Sequence, residues 1–338
     1  MSASVSVIVP VYNVSPFIGD CIKSVMNQSY QGEMECVIID DGCTDDSMTV
    51  LDNFLKDYQG PIHIAIYHHE KNRGLSAARN TGTRHASGKY LFYLDSDDVI
   101  STNCIERLME QTVLEPKVEL VQGNAEAIPV KLSASYTRHF PVLYAKSNEE
   151  VRFCFYQNRQ MPCNAWNKLL KRDFILNNDL FFREGALYED VLWSFYLMKC
   201  LSNVIFVSDV TYYTRFRPGS IMSGTDKLTS AIHYQQIYHE IYKNLTPNNE
   251  EEELAFYAKA FANVYIRHGH IMPKLKDVYR LYRDKALEYR MIGGCLRLFI
   301  CRFLGMYKYG WTVAGIMKRI EHPSRLKDDF ERIRYRMR

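Results

Sequence analysis

Two carboxylates separated by one residue, placed directly after a buried strand, put hard oxygen ligands on a turn where a cation can be shared with a phosphate. Asp95-Ser96-Asp97-Asp98 supplies that pattern straight after the apolar run Tyr90-Leu91-Phe92-Tyr93-Leu94. The same residues read equally well as an amino-terminal cap for a helix beginning near Ile105. A second acidic turn, Asp40-Asp41-Gly42-Cys43-Thr44-Asp45, also follows an apolar run. There one carboxylate can reach the edge of a base while Gly42 permits the turn. Asp45 and Asp46 suit helix caps better than ligands. In Lys71-Asn72-Arg73-Gly74-Leu75-Ser76-Ala77-Ala78-Arg79-Asn80, Leu75 and Ala78 face a core. Arg79 beside them can pair with phosphate or with the strand-end aspartates, and the second role can be purely structural.

Elements able to position these residues are visible in the apolar periodicity. Val5–Val9, Met34–Ile39, Ile62–Tyr67, Tyr90–Leu94 and Val118–Val121 are short, often β-branched and bounded by turn residues, as strands are. Phe17–Met26, Ser47–Lys56, Leu75–Ala86 and Ile105–Val113 carry apolar residues at helical spacing. The alternation predicts an α/β fold, a mostly parallel doubly wound sheet covered by helices. Such sheets bind ligands beyond the carboxyl ends of their strands. Pro10-Val11-Tyr12-Asn13, Asp40-Asp41-Gly42 and Asp95-Ser96-Asp97-Asp98 all fall there. From Glu126 to Arg159 the pattern weakens into an irregular connection able to cover a cleft. A segment at Trp166–Lys171, a helix at Glu189–Leu201, a strand at Val204–Val207, a run at Thr211–Thr214 and a tyrosine-rich helical region at 227–266 follow.

The 338 residues, 47% hydrophobic and 24% charged, exclude wholesale disorder, a collagen-like repeat and a membrane bundle. Nine cysteines with no CxxC spacing argue against a disulfide framework or a zinc site. No basic leader precedes the first strand and no stretch of about 18 uncharged apolar residues occurs, so a cytoplasmic protein without a transmembrane helix is expected. Charge is unevenly spread: residues 1–266 carry 24 Lys and Arg against 32 Asp and Glu, and residues 267–338 carry 18 against 7. A basic segment of that kind meets nucleic acid, anionic lipid or an acidic partner.

Ser6-Val7-Ile8-Val9-Pro10-Val11-Tyr12-Asn13, Ile39-Asp40-Asp41-Gly42, Asn72 to Asn80, and Asp95-Ser96-Asp97-Asp98 resemble, in order and spacing, the family 2 inverting glycosyltransferases over roughly residues 4–225. The resemblance implies a type A nucleotide-diphospho-sugar transferase fold and inversion at the anomeric carbon. It implies that Pro10, Tyr12, Asp41, Asn72 and Arg79 surround the uridine of a UDP-sugar, and that Asp95, beside Ser96, contacts ribose or diphosphate. Asp97 would ligate Mn2+ or Mg2+. Cys43 stands where the family usually has serine. Inverting transfer needs a carboxylate near the acceptor hydroxyl, and Tyr188-Glu189-Asp190-Val191-Leu192-Trp193 resembles the family's Glu-Asp pair followed by an aromatic. Asp190 is the expected base and needs no shift from the ordinary aspartate range, with Glu189 orienting it or binding acceptor. A capping pair at a helix start is the competing reading. Helical spacing sets Asp190, Trp193 and Ser194 on one face and Val191, Phe195 and Met198 on another that can bury. Arg217 and Ser220, in a segment that also recurs in the family, are expected over the diphosphate. Trp166 and Trp193 are the acceptor-binding candidates, against the commoner fate of a core tryptophan.

The expected organisation is a catalytic domain at 1–225, with a nucleotide-sugar half at 1–125 and an acceptor half at 126–225, followed by a helical basic region at 226–338. Within 291–338, Leu296, Ile300, Phe303, Leu304, Tyr307 and Trp311 form one helical stripe. It reads as an amphipathic helix on an anionic membrane, here the inner face of the cell membrane, or as a helix packed on the protein. Nucleic acid fits less well, because no recognised motif accompanies the charge. The expected acceptor is a glycan, lipid-linked, in surface-polysaccharide assembly. A nucleotidyltransferase would want a glycine-rich basic loop after the first strand, where Pro10-Val11-Tyr12-Asn13-Val14 stands. A non-catalytic carbohydrate-binding protein would tolerate loss of Asp95, Asp97 and Asp190, all of which are present.

Overall fold

Val5–Val11 (β1) is buried at every position, as a strand with neighbours on both edges and helices on both faces must be. The computed structural model describes residues 4–128, 140, 143–217 and 225–245, with 253, 256, 257 and 284. After β1 come Ser15–Met26 (α1), Met34–Asp40 (β2), Ser47–Leu55 (α2), His63–His68 (β3), Leu75–His85 (α3) and Tyr90–Tyr93 (β4). The parallel pairings β1 with β2, β2 with β3, and β1 with β4 give the order β3-β2-β1-β4. The faces of β1 alternate as strand geometry requires. Val5, Val7, Val9 and Val11 join Ile18, Cys21 and Ile22 of α1 in one core. Ile8, on the other face, meets α3 at Gly82, where any β-carbon would collide with Ile8 Cγ2.

The second half is mixed. Val99–Ile100 (β5), Cys104–Leu114 (α4), Leu120–Ile128 (β6), Tyr144–Ala145 (β7) and Asn148–Arg152 (α5) lead into a π-helical turn at Phe153–Gln157. Lys168–Lys171 (β8), Arg172–Asn177 (α6), Glu189–Cys200 (α7) and Val204–Arg215 (β9) follow. The sheet continues β4-β8-β6-β9-β5, with β7 also on β9. β8 is antiparallel to both β4 and β6, while β6 and β9 are parallel. Among the described residues, β1 to β4, β6 and β9 therefore run one way, and β5, β7 and β8 run against them.

Direction decides what meets at the sheet's carboxyl edge. Tyr12, Asp41 and Asp95 emerge there from β1, β2 and β4, and Phe216 and Arg217 emerge there from β9. Because β8 is reversed, it brings its beginning, Asn167-Lys168, to the same edge.

Three expectations change in detail. The weak stretch at 126–159 holds β7, α5 and the π turn. The two runs at Val204–Val207 and Thr211–Thr214 are one continuous strand, β9, opposite a register shift between Gln122 and Ala125 of β6. α7 is not two-faced: Leu192, Trp193, Ser194, Phe195, Leu197 and Met198 are all buried.

The chain divides into two compact units, Met1–Gly224 and Thr225–Arg338. In the second, Lys227–Lys243 (α8) begins at Asp226, whose carboxylate accepts the N–H groups of Leu228 and Thr229 at 3.0 Å each. Ser220 and the stripe at 291–338 lie outside the described residues. Among the described residues no helix is long and apolar enough to cross a membrane.

Candidate active site

Hydrogen bonds from side chain to backbone lace the loops at the carboxyl edge. Asn13, in the left-handed region at φ 50°, accepts the N–H of Thr44 at 2.9 Å and so ties the end of β1 to the loop after β2. Asp45 accepts from Ser15 N–H at 3.0 Å and from Ser47 N–H at 2.9 Å, fixing the starts of α1 and α2 together. Asp41 is buried and accepts from Arg73 N–H at 2.9 Å and Gly74 N–H at 2.8 Å, with His69 Nδ1 at 2.6 Å. Its first task is therefore to hold the Asn72-Arg73-Gly74 loop. Gly42, at φ 73°, makes the fit possible, since a β-carbon there would stand 2.7 Å from Asn72 N. Asn72 and Tyr12 remain exposed and Pro10 is buried within β1.

The acidic turn after β4 is pinned from β9. Tyr212, fully buried, donates its hydroxyl to Asp98 Oδ2 at 2.8 Å and accepts the N–H of Asp95 at 3.2 Å. Asp98 Oδ1 accepts the N–H of Arg215 at 2.7 Å. Asp98 is thus a tether between β4 and β9; the helix that follows, α4, starts from Asn103. Arg215 Nε donates to Asp97 O at 2.7 Å, and its Nη1 reaches Asp20 of α1 at 2.8 Å. Arg217 Nε donates to Asp97 Oδ2 at 2.5 Å. Ser96 is buried between these partners.

Arg79 of α3 joins this turn to the start of α7. Its Nη2 donates to Asp95 Oδ1 at 2.8 Å, and its Nη1 donates to Glu189 Oε1 at 2.7 Å and Asp190 Oδ1 at 2.9 Å. Next to it, Asn80 brackets Phe182, donating Nδ2–H to Phe182 O and accepting Phe182 N–H, both at 2.8 Å. The Glu-Asp pair is presented by Tyr188, whose φ of 60° is left-handed. That is an uncommon state for a bulky side chain, held only where surrounding structure over-determines it. Lys168 at the start of β8 is buried, donates Nζ to Asn164 O at 2.6 Å, and places its charge near Asp190.

Crowding of carboxylates in a recessed place shows in their acidity. Burial, then the Asp190 charge, pushes Glu189 up to about 7, with Arg79 opposing. Burial also raises Asp190 above the ordinary aspartate range, against Arg79 and Lys168, so the expected absence of a shift does not hold. Burial and the charge of Asp95 raise Asp97 despite Arg217. Asp98 is raised well above the usual range by burial and by Asp97.

Of the residues singled out from the sequence, Arg79, Asp95, Glu189 and Asp190 form one contact set, and Asp97 and Arg217 a second beside it. Arg79 is 1% exposed, and of its two open roles the geometry holds the pairing with a strand-end aspartate. Trp193 is closed to solvent as well. It is 2% exposed, donates Nε1–H to Leu180 O at 3.0 Å and stacks on Phe182 with centroids 4.9 Å apart, which makes it a core residue. Trp166 is half-buried and stacks on Tyr212 with centroids 4.5 Å apart. Tyr212, Arg215 and Lys168 were not singled out as site residues. Lys168 and Arg215 lie in segments that recur in the resembled family, and their further signal is that β8 begins, and β9 ends, at the edge the other motifs share.

Among the described residues no three His, Cys, Asp or Glu side chains converge to hold an ion. A small hard cation that keeps water and substrate phosphate in its shell needs only one or two protein carboxylates. Asp97, recessed and repelled by Asp95, is a hard oxygen donor whose charge a cation would offset, so the donor set suits Mg2+ or Mn2+.

Residues 6–173 match the family model described as glycosyl transferase family 2. Over 237 residues the chain is 31% identical to glycosyltransferase GlyG of Streptococcus pneumoniae, covering 66% of this chain and 74% of that protein. S. aureus TarS 1–349 in complex with UDP-GlcNAc superposes with a TM-score of 0.64 at 19% identity, covering 83% of this chain and 79% of that one. The mannosyltransferase PcManGT from Pyrobaculum calidifontis, in complex with GDP-Man and Mn2+, superposes with a TM-score of 0.56 at 15% identity, covering 94% and 87%. At such identities the likeness to the solved structures is one of fold.

Proposed function

Since the chain belongs to glycosyl transferase family 2 and transfers sugar, we propose that its donor is a UDP-sugar and that it moves a single hexose or N-acetylhexosamine, with inversion, to a hydroxyl of a lipid-linked glycan in surface-polysaccharide assembly. The observation that carries the reading is the buried Arg79 joining Asp95 on the donor side to the Glu189–Asp190 pair, at 2.8, 2.7 and 2.9 Å. Support for the uridine donor comes from the fold shared with a transferase that binds UDP-GlcNAc. Support for an ion comes from the neighbour that holds GDP-Man with Mn2+.

In this reading the acceptor oxygen attacks the anomeric carbon from the face opposite the diphosphate. Its proton passes to Asp190, which burial makes a weaker acid, and therefore a stronger base, than a free aspartate. The bond from the anomeric carbon to the diphosphate oxygen breaks, and its electron pair leaves with UDP. Asp97 would hold Mn2+ or Mg2+, which when bound supplies charge neutralisation to the departing diphosphate. Arg217 and Ser220 add positive charge and a hydroxyl over the same group. Tyr12, Asp41 and Asn72 line the uridine, with Pro10 shaping the floor, and Trp166 stacks near the acceptor. Residues 291–338 rest on the inner face of the membrane, where a lipid-linked acceptor is presented.

The test is a panel of UDP-sugars, read by thermal stabilisation and by hydrolysis with and without Mn2+. At least one UDP-sugar is expected to raise Tm and to be hydrolysed only with the ion. If none does either, the donor assignment fails.

A further inference from the structure

Arg79, like Lys168 and unlike Arg215 and Arg217, is closed to solvent. At 1% exposure it can reach a ligand only through the carboxylates it already holds. Both Nη atoms are committed to Asp95, Glu189 and Asp190, the ring of Phe182 lies 5.2 Å from its guanidinium carbon, and its buried Nε–H finds no acceptor among the described residues. Separate stretches of chain meet on it: Asp95 follows β4, while Glu189 and Asp190 begin α7, reached through a segment that Asn80 clasps at Phe182. A planar, rigid fork can fix several carboxylates at set distances, which the point charge of a lysine cannot.

We propose that Arg79 is a positioning residue: it touches neither nucleotide nor acceptor, and it sets the separation between the base, Asp190, and the donor-side aspartate, Asp95. The inference rests on reading Asp190 as the base. Transfer needs the proton acceptor and the leaving group on opposite sides of one carbon, and an error near 1 Å in such an arrangement costs about 10²-fold in rate. Arg79 acts on the turnover step and leaves donor affinity alone.

Asp190 faces Arg79 from α3, Asp95 from the turn after β4, Lys168 from β8, the N–H of Ala165 and its neighbour Glu189. Removing the guanidinium charge therefore moves the acid limb of kcat up by about one pH unit or more, and keeping the charge without the fork leaves that limb in place.

The experiment compares Arg79→Lys and Arg79→Met with the unsubstituted chain, using UDP affinity by calorimetry, kcat, donor KM and the kcat–pH profile. Arg79→Lys is expected to bind UDP within about twofold of the parent and to lose about 10²-fold in kcat with donor KM unchanged. Arg79→Met is expected to add the shifted acid limb. A tenfold weaker UDP affinity with kcat retained would make Arg79 a donor ligand and overturn the inference. Should Arg79→Met fail to fold, Asp190→Asn is placed in the Arg79→Lys background. A positioning residue has nothing left to position there, so the double variant should match Asp190→Asn alone, and additive losses overturn the inference. Failure of the donor assignment is separate, appearing in the unsubstituted chain as no UDP binding and no hydrolysis.

Discussion

Glu189→Gln is expected to stabilise the protein at alkaline pH while lowering its activity. Glu189 is 4% exposed and sits against Asp190, so burial and like charge hold its pKa at about 7, against an ordinary 4.5. The raised value means that the folded chain binds this proton more tightly than the unfolded chain does. Stability is therefore complete below about pH 4.5, falls as pH rises, and is lowest once pH exceeds about 7, where the ionised group is a net burden. A shift of that size corresponds to about 3 kcal/mol at 1.36 kcal/mol per unit, and about 2 kcal/mol of it develops between pH 5 and pH 8.5. Glutamine keeps the shape and cannot ionise. The stability gap between Glu189→Gln and the parent should widen by about 2 kcal/mol over that interval, or roughly 4–8 °C in Tm for a unit of this size. Denaturant midpoints at pH 5, 6, 7 and 8.5 measure it. A gap that stays constant with pH would mean that Glu189 is ionised throughout, and the account of the carboxylate cluster would fall. Loss of kcat with gain of stability is what a strained, charge-crowded site predicts.

Asp190→Asn is expected to bind UDP as the parent does and to lose about 10²- to 10⁴-fold in kcat, the usual contribution of a positioned base; calorimetry and turnover with a soluble acceptor separate the two. In Asp97→Ala the gain in UDP affinity on adding Mn2+ should vanish, and retention of that gain would remove Asp97 from the ion. Gly42→Ala combines a left-handed φ of 73° with a β-carbon 2.7 Å from Asn72 N. It should cost about 1–3 kcal/mol in denaturation and raise the KM for donor, because the loop it displaces carries Asn72.

The first half of the sheet was legible because each strand there is a short run bounded by turn residues. β1 to β4 fall within a few residues of the apolar runs at Val5, Met34, Ile62 and Tyr90. In the second half, Lys168–Lys171 is apolar only at its two central residues, and nothing in its composition says that it runs against its neighbours. Direction comes from the partners, β4 and β6, which lie far off in sequence. α7 misled for a related reason: helical spacing separates faces only where one of them meets water. Here Trp193 and Ser194 are as buried as Phe195 and Met198 because residues from other segments, Leu180 and Cys163, accept their hydrogen bonds.

The carboxylates of the site were named from local spacing or, for Glu189 and Asp190, from the family resemblance, yet what relates them was not local. Arg79 stands 16 residues before Asp95 but more than 100 before Glu189 and Asp190. A helix-cap reading of the Glu-Asp pair and an ion-pair reading of Arg79 were each reasonable alone, and the fold shows why they are one question. The sequence turns through a left-handed Tyr188 to deliver two carboxylates onto a guanidinium that already holds a third. Pairing one cation with three anions in a recessed place is a poor way to stabilise a protein. Structural economy would have left one aspartate on Arg79, and the excess negative charge, expressed in the lowered acidity of Glu189, Asp190 and Asp97, is better explained as a demand for a proton and a cation that arrive with substrate.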